Sequence, residues 1–146
     1  MTSLGHLARR FATSLSRREP ATDDTSWALA QLLPAEAALW QRMAVQDRRH
    51  SLLVARRFVA AEPTAGRAEV AGALLHDIGK VDCGVSTFGR VLATVVGPRT
   101  DAFRRYHDHE RLGAELLTAA GSADETIELV RGRGRLAAAL RAADDI

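Results

Sequence analysis

The sequence predicts an all-α domain of six to eight helices, and three observations lead there. Apolar residues recur every three to four positions in segment after segment. Those segments are bounded by helix-starting polar residues, by Pro and by Gly. The one stretch that would tolerate a strand, around Val91, Thr94, Val95 and Val96, has no partner strand to pair with.

Leu4, Leu7, Ala8, Phe11 and Leu15 keep helical spacing with Arg9, Arg10, Arg17 and Arg18 on the other faces, so the chain starts with an amphipathic helix. Its Arg- and Ser-rich, acid-poor composition also fits a transit peptide or a membrane-surface helix. We read it as a docked terminal helix, because no cleavage or second anchoring signal accompanies it. The polar stretch Glu19 to Ser26 is a connection, which divides the chain into a terminal segment, 1–25, and a helical domain, 26–146.

A short helix follows through Trp27 to Leu33. Pro34 suits a first helical position, and Leu39, Trp40, Met43, Leu52, Leu53, Ala55 and Phe58 imply a long helix, broken near Asp47 and ending before Pro63. A helix from about Thr64 buries Val70, Ala71, Leu74 and Leu75 and stops at Gly79, with His76 and Asp77 in its last turn. Ser86 to Val96 reads as a further helix closed by Gly97-Pro98. Leu112, Leu116 and Leu117 form the face of a helix capped by Gly121, Ser122 to Glu125 reads as a capping box for a helix through Val130, and the last helix runs from Leu136 to Asp144.

At 146 residues, 47% hydrophobic and 26% charged, the chain suits one globular domain rather than a disordered one. A formal charge of +2 is no footprint for a nucleic acid polymer, but small anionic ligands fit. The single cysteine, Cys83, cannot form an internal disulfide, and no apolar run spans a bilayer. A cytoplasmic protein is the expectation, and a homo-oligomer is left open.

Leu74-Leu75-His76-Asp77-Ile78-Gly79-Lys80 is where chemistry should be sought. A neutral imidazole and a carboxylate side by side can both reach one divalent cation. His50, His107, His109 and Asp144 lie at other polar spots between apolar segments. If His50, His76, Asp77 and Asp144 converge, two nitrogen and two oxygen ligands suit manganese, iron, cobalt, zinc or magnesium, with open positions for water. Of twenty basic residues only Lys80 is lysine, which points to a need for a compact ammonium there. Trp27, Trp40 and Cys83 read more simply as packed residues than as base-stacking or nucleophilic groups.

The order His50, His76-Asp77, Asp144 resembles the HD-domain superfamily of metal-dependent phosphohydrolases. So do the local strings Arg49-His50-Ser51 with Val54-Ala55, the Leu74 to Lys80 run, and His109 with Gly113-Ala114-Glu115-Leu116-Leu117. The likeness spans about residues 36–146. It implies an HD-domain-like helical bundle, makes 26–146 the metal-binding domain, and gives His50, His76, Asp77 and Asp144 the ligand roles, with Asp145 as the less suitable substitute for Asp144. The fuller family pattern adds a histidine after the Gly-Ala-Glu-Leu-Leu string, where this chain has Glu128-Leu-Val-Arg131-Gly-Arg133-Gly-Arg135. One ion is therefore expected rather than a complete pair.

The expected reaction is hydrolysis of a nucleotide or related small phosphorylated substrate, as a monoester or diester, by metal-activated water. Asp77, Lys80, His107 and His109 are the catalytic candidates. Lys80, Arg131 and Arg133, and beyond them Arg135, are the candidates for holding phosphate. Residues two apart on a helix point about 200° from each other, so His107 and His109 cannot readily share an ion. His109 is taken as the metal-proximal one, against the simpler reading that both decorate a polar helix start. The alternative function is a non-catalytic regulatory module that binds metal and nucleotide.

Overall fold

The computed structural model describes residues 18–82 and 108–145. Within them lie seven α-helices: α1 Thr22–Ala30, α2 Pro34–Arg42, α3 Val45–Ala61, α4 Arg67–Leu74, α5 His109–Ala119, α6 Asp124–Val130 and α7 Ala137–Asp144. A 3-10 turn, Ile78–Asp82, follows α4, and the described residues contain no strand. The expected helices at 4–15 and 86–96, together with Cys83 and His107, lie outside the described residues.

The all-α expectation holds, and the helix ends differ for physical reasons. The first described helix begins at Thr22 rather than Trp27, seating Ala28 in the core and stacking Arg56 on Trp27, 3.8 Å from the ring centre. The long helix expected from Pro34 breaks at Met43 and Ala44, ahead of Asp47, where both residues are extended. No Gly or Pro marks the break. Arg48 reaches back from α3 and donates to the carbonyls of Gln41 and Met43 at 3.0 and 2.9 Å, satisfying groups that a continuous helix would have paired.

α4 starts after Gly66 rather than at Thr64, and Glu69 accepts the Gly66 N–H at 3.0 Å. Ser122 does not cap α6. Ala123 occupies that position, and the Ser122 hydroxyl is buried without a partner. Gly121, as expected, closes α5 with a left-handed φ of 75°, and Ser122 and Gly121 return to the Leu117 and Thr118 carbonyls in a Schellman motif. Gly132 does the same for α6.

The core is built around Trp40, Val54, Phe58, Leu74, Leu75, Ile78 and Leu117, all fully buried. Each large aliphatic or aromatic group among them contributes about 1.5–3 kcal/mol by leaving water. Leu53, by contrast, is half exposed. The Trp40 indole N–H donates to Ser51 Oγ at 2.9 Å, and that hydroxyl donates to the Arg48 carbonyl, so the tryptophan's polar end is satisfied inside. α4 packs between α3 and α6, α7 lies along α3, and α5 contacts both α6 and the 3-10 turn. These contacts bring the ends of α4, α5 and α7 to the flank of α3.

Candidate metal centre

α4 is buried along Val70, Ala71, Gly72, Ala73 and Leu74, so whatever follows it is delivered into the interior. The helix stops at Leu74, one turn earlier than the sequence implied. His76 and Asp77 therefore sit in the tight turn between α4 and the 3-10 segment rather than in a helical last turn. Both side chains are buried.

Gly79 is not the helix stop. A Cβ there would lie 1.9 Å from the His109 carbonyl oxygen and 2.8 Å from the Gly113 nitrogen. The residue is glycine because the 3-10 backbone presses against the start of α5. Gly113 answers from the other side, where a Cβ would meet Val130 at 3.0 Å and Ile78 at 3.1 Å. This close approach sets His109, the first residue of α5, beside Asp77, with Nε2 3.4 Å from Oδ1.

His76 is held by its other nitrogen. Nδ1 donates to the Ala73 carbonyl at 2.7 Å, which fixes the ring and leaves the Nε2 lone pair of the neutral form facing the site. Nε2 is buried and has no hydrogen-bond partner. It stands 3.4 Å from Asp144 Oδ1 and 3.5 Å from Asp77 Oδ2, ion-pair distances without hydrogen-bond alignment. Burial alone would lower the pKa of His76. The two flanking carboxylates and the Ala73 carbonyl reverse this and raise it to about 9.

Asp144 comes from the last residue of α7, 94 positions from His50, whose Nε2 donates to Asp144 Oδ1 at 2.7 Å. A carboxylate at a helix C-terminus meets the negative end of the helix dipole, and the two imidazoles offset that. Burial pushes the Asp144 pKa up, but the hydrogen bond from His50 and the charge of His76 and His50 outweigh it and hold the carboxyl well below its ordinary range. Asp145 is exposed and lies past the end of α7.

Lys80 is aligned on Asp77 by the 3-10 turn, in which residues three apart eclipse, and its Nζ donates to Oδ2 at 2.7 Å. Asp77, raised by burial but lowered more by Lys80, His76 and His109, remains ionised far below the usual carboxylate range.

His50, His76 and Asp144 each offer one ligand atom, and these atoms lie within 4.8 Å of one another. That donor set of two nitrogens and an oxygen, with the unpartnered Nε2 of His76 buried among them, fits a divalent cation. Asp77 flanks His76 on its Lys80 side. An open cavity of about 130 Å³ adjoins the group and is lined by His76, Asp77, His109 and Asp144.

The Gly-interleaved arginines do not line it. Arg131 pairs with Glu128 at 3.3 Å and Arg135 with Glu69 at 3.1 Å, and Arg133 lines a second groove on the Asp124–Leu136 side. Glu110 and Arg141 line the cavity instead, and sequence reading passed over both. A signal for Arg141 was present: three residues before Asp144, it shares that residue's helix face. Glu110 offered only its position after His109.

A family model described as HD domain matches residues 48–142. No curated protein and no solved structure matches the chain.

Proposed function

This chain belongs to the HD-domain family, and from that premise we propose that it is a metal-dependent phosphohydrolase of a nucleotide or a related small phosphorylated substrate. HD domains bind divalent metals, and most are phosphohydrolases acting on phosphorylated compounds. The observation that carries the reading is the buried, unpartnered Nε2 of His76 lying between the carboxylates of Asp77 and Asp144. No helix among the described residues is long and apolar enough to cross a membrane.

His50, His76, Asp77 and Asp144 would hold one divalent ion, manganese, iron, cobalt, zinc or magnesium. When bound, such an ion polarises a phosphoryl oxygen and acidifies water. The Nδ1 bond to Ala73 keeps His76 aimed, and His50 must give up the proton it shares with Asp144 in order to ligate. Lys80 keeps Asp77 ionised and brings an ammonium to the edge of the site, where it can meet a phosphate oxygen. His109, against Asp77, is placed to hold or release a proton for the leaving oxygen. His107 shares that candidacy on sequence grounds alone.

The second reading, a regulatory module that binds metal and nucleotide without turnover, draws on a specific observation: residues 128–135 supply no imidazole for a second ion.

The test pairs metal analysis of the purified protein with a turnover screen over phosphomonoesters and phosphodiesters of nucleosides with manganese added. Asp77→Ala is expected to lose both bound metal and turnover. Full retention of both would overturn the assignment, and tight nucleotide binding without turnover across several metals would select the second reading.

A further inference from the structure

The cavity beside the metal centre has one guanidinium in its wall. Arg141 sits three residues before Asp144 on α7, and its Nη1 donates to the Gly132 carbonyl at 3.2 Å. That is its only side-chain hydrogen bond among the described residues, and it makes no ion pair there, whereas Arg48, Arg56, Arg67, Arg111, Arg131 and Arg135 each meet a carboxylate. Four of its five N–H donors are thus uncommitted beside the cavity.

Across Gly132 stands Glu110. A Cβ on that glycine would lie 3.3 Å from Glu110 Oε2 and 3.9 Å from Arg141 Nη1, so the missing side chain leaves space that both the carboxylate and the guanidinium border. At φ 77° the backbone there favours glycine in any case. The cavity, about 130 Å³, is well below the ~300 Å³ at which pockets for drug-sized ligands begin. It has room for one phosphoryl group, with the rest of a substrate lying in its open mouth.

We propose that Arg141 is the specificity residue that grips the phosphoryl oxygens of the substrate, and that Glu110 on the same cavity wall disfavours the added charge of a second phosphoryl group, so that the cavity selects single-phosphoryl substrates such as nucleoside monophosphates. This deepens the phosphohydrolase reading and rests on it. A planar guanidinium anchored at one N–H matches two nonbridging oxygens at once. A carboxylate bordering the same space costs more the more negative charge the ligand brings.

The experiment is calorimetric titration of the metal-loaded full chain with inorganic phosphate and with pyrophosphate, with ion content measured after each run. Arg141→Ala should weaken phosphate binding about tenfold or more at unchanged ion content, and Arg141→Lys should recover only part of it. Glu110→Gln should narrow the preference for phosphate over pyrophosphate by about tenfold. Arg141→Ala within about twofold of the wild-type phosphate affinity overturns the proposal, as does a wild type that binds no phosphate or prefers pyrophosphate. The phosphohydrolase reading fails on a different result, the absence of phosphoester turnover from wild-type protein that holds its ion.

Discussion

Replacing Gly79 by alanine is expected to do more damage than its single methyl suggests. The new Cβ would lie 1.9 Å from the His109 carbonyl oxygen and 2.7 Å from the carbon that bears it, both backbone atoms that no rotamer change can move aside. Either the 3-10 turn or the start of α5 has to withdraw by more than 1 Å to reach about 3 Å, the shortest approach real Cβ atoms make. Overpacking a rigid interior costs about 1–3 kcal/mol, and a backbone clash belongs at or above the upper end. For a chain of this length about 3 kcal/mol lowers the melting temperature by roughly 10 °C. The same withdrawal parts His109 from Asp77, so ligand binding should weaken with stability. Gly113→Ala, whose Cβ would meet side-chain methyls at 3.0 and 3.1 Å, should fall between. Gly66→Ala, with nothing within 4 Å and an ordinary φ of −75°, should melt within a few degrees of wild type. The assay is thermal melting by circular dichroism on the three variants side by side. Equal melting temperatures for Gly79→Ala and Gly66→Ala would refute the close-approach argument.

Acidity gives a second expectation. In chelator-treated protein the His76 pKa stands near 9, above its ordinary 6.5, so its contribution to stability is complete below about pH 6.5 and is lost as pH rises through 9. Asp77 and Asp144, held below their ordinary 3.8, contribute above that value and lose the contribution as pH falls further. The metal-free melting temperature should therefore peak between about pH 4 and 6.5, and a peak above pH 8 would contradict the signs. Because ligation needs the neutral imidazole, cation affinity followed by titration should rise about tenfold per pH unit up to 9. His50→Ala should lower bound cation on metal analysis at least about tenfold while leaving the helical circular-dichroism signal intact, since His50 is only half buried. An unchanged metal content would remove His50 from the ligand set.

Much of this molecule was legible in the residues because the signals were local. Helical periodicity, Pro34, Gly121 and the Leu136 to Asp144 segment all read correctly, as local propensity and capping chemistry allow. So did the ordered set His50, His76 and Asp144, whose ligand atoms come together from three elements. What escaped depended on side-chain reach and close packing that neither periodicity nor a Gly or Pro announces. The Arg48 side chain that ends α2 acts through carbonyls five and seven residues back, with no Gly or Pro to announce the break. Gly79 looked like a helix stop because a glycine after an apolar run is usually one, and only the approach of α5 reveals its other reason. The arginines of the 131–135 loop drew attention by density, while the cavity wall was formed by Arg141, one turn of helix from a ligand candidate.

The bond from Lys80 to Asp77, and the seat of His76 between two acids, bear on the order in which this protein is made. Two cationic side chains face two carboxylates, so the pocket's charges are matched by the chain's own atoms as soon as it collapses. Small zinc modules need their ion to fold at all, because nothing else quiets their ligands. Here the polypeptide can reach its shape first and be loaded afterwards, by exchanging a proton on an imidazole and the embrace of an ammonium for a dication. If the proposed hydrolysis is what this pocket does, that internal neutrality makes the activity wait on metal supply while the scaffold does not.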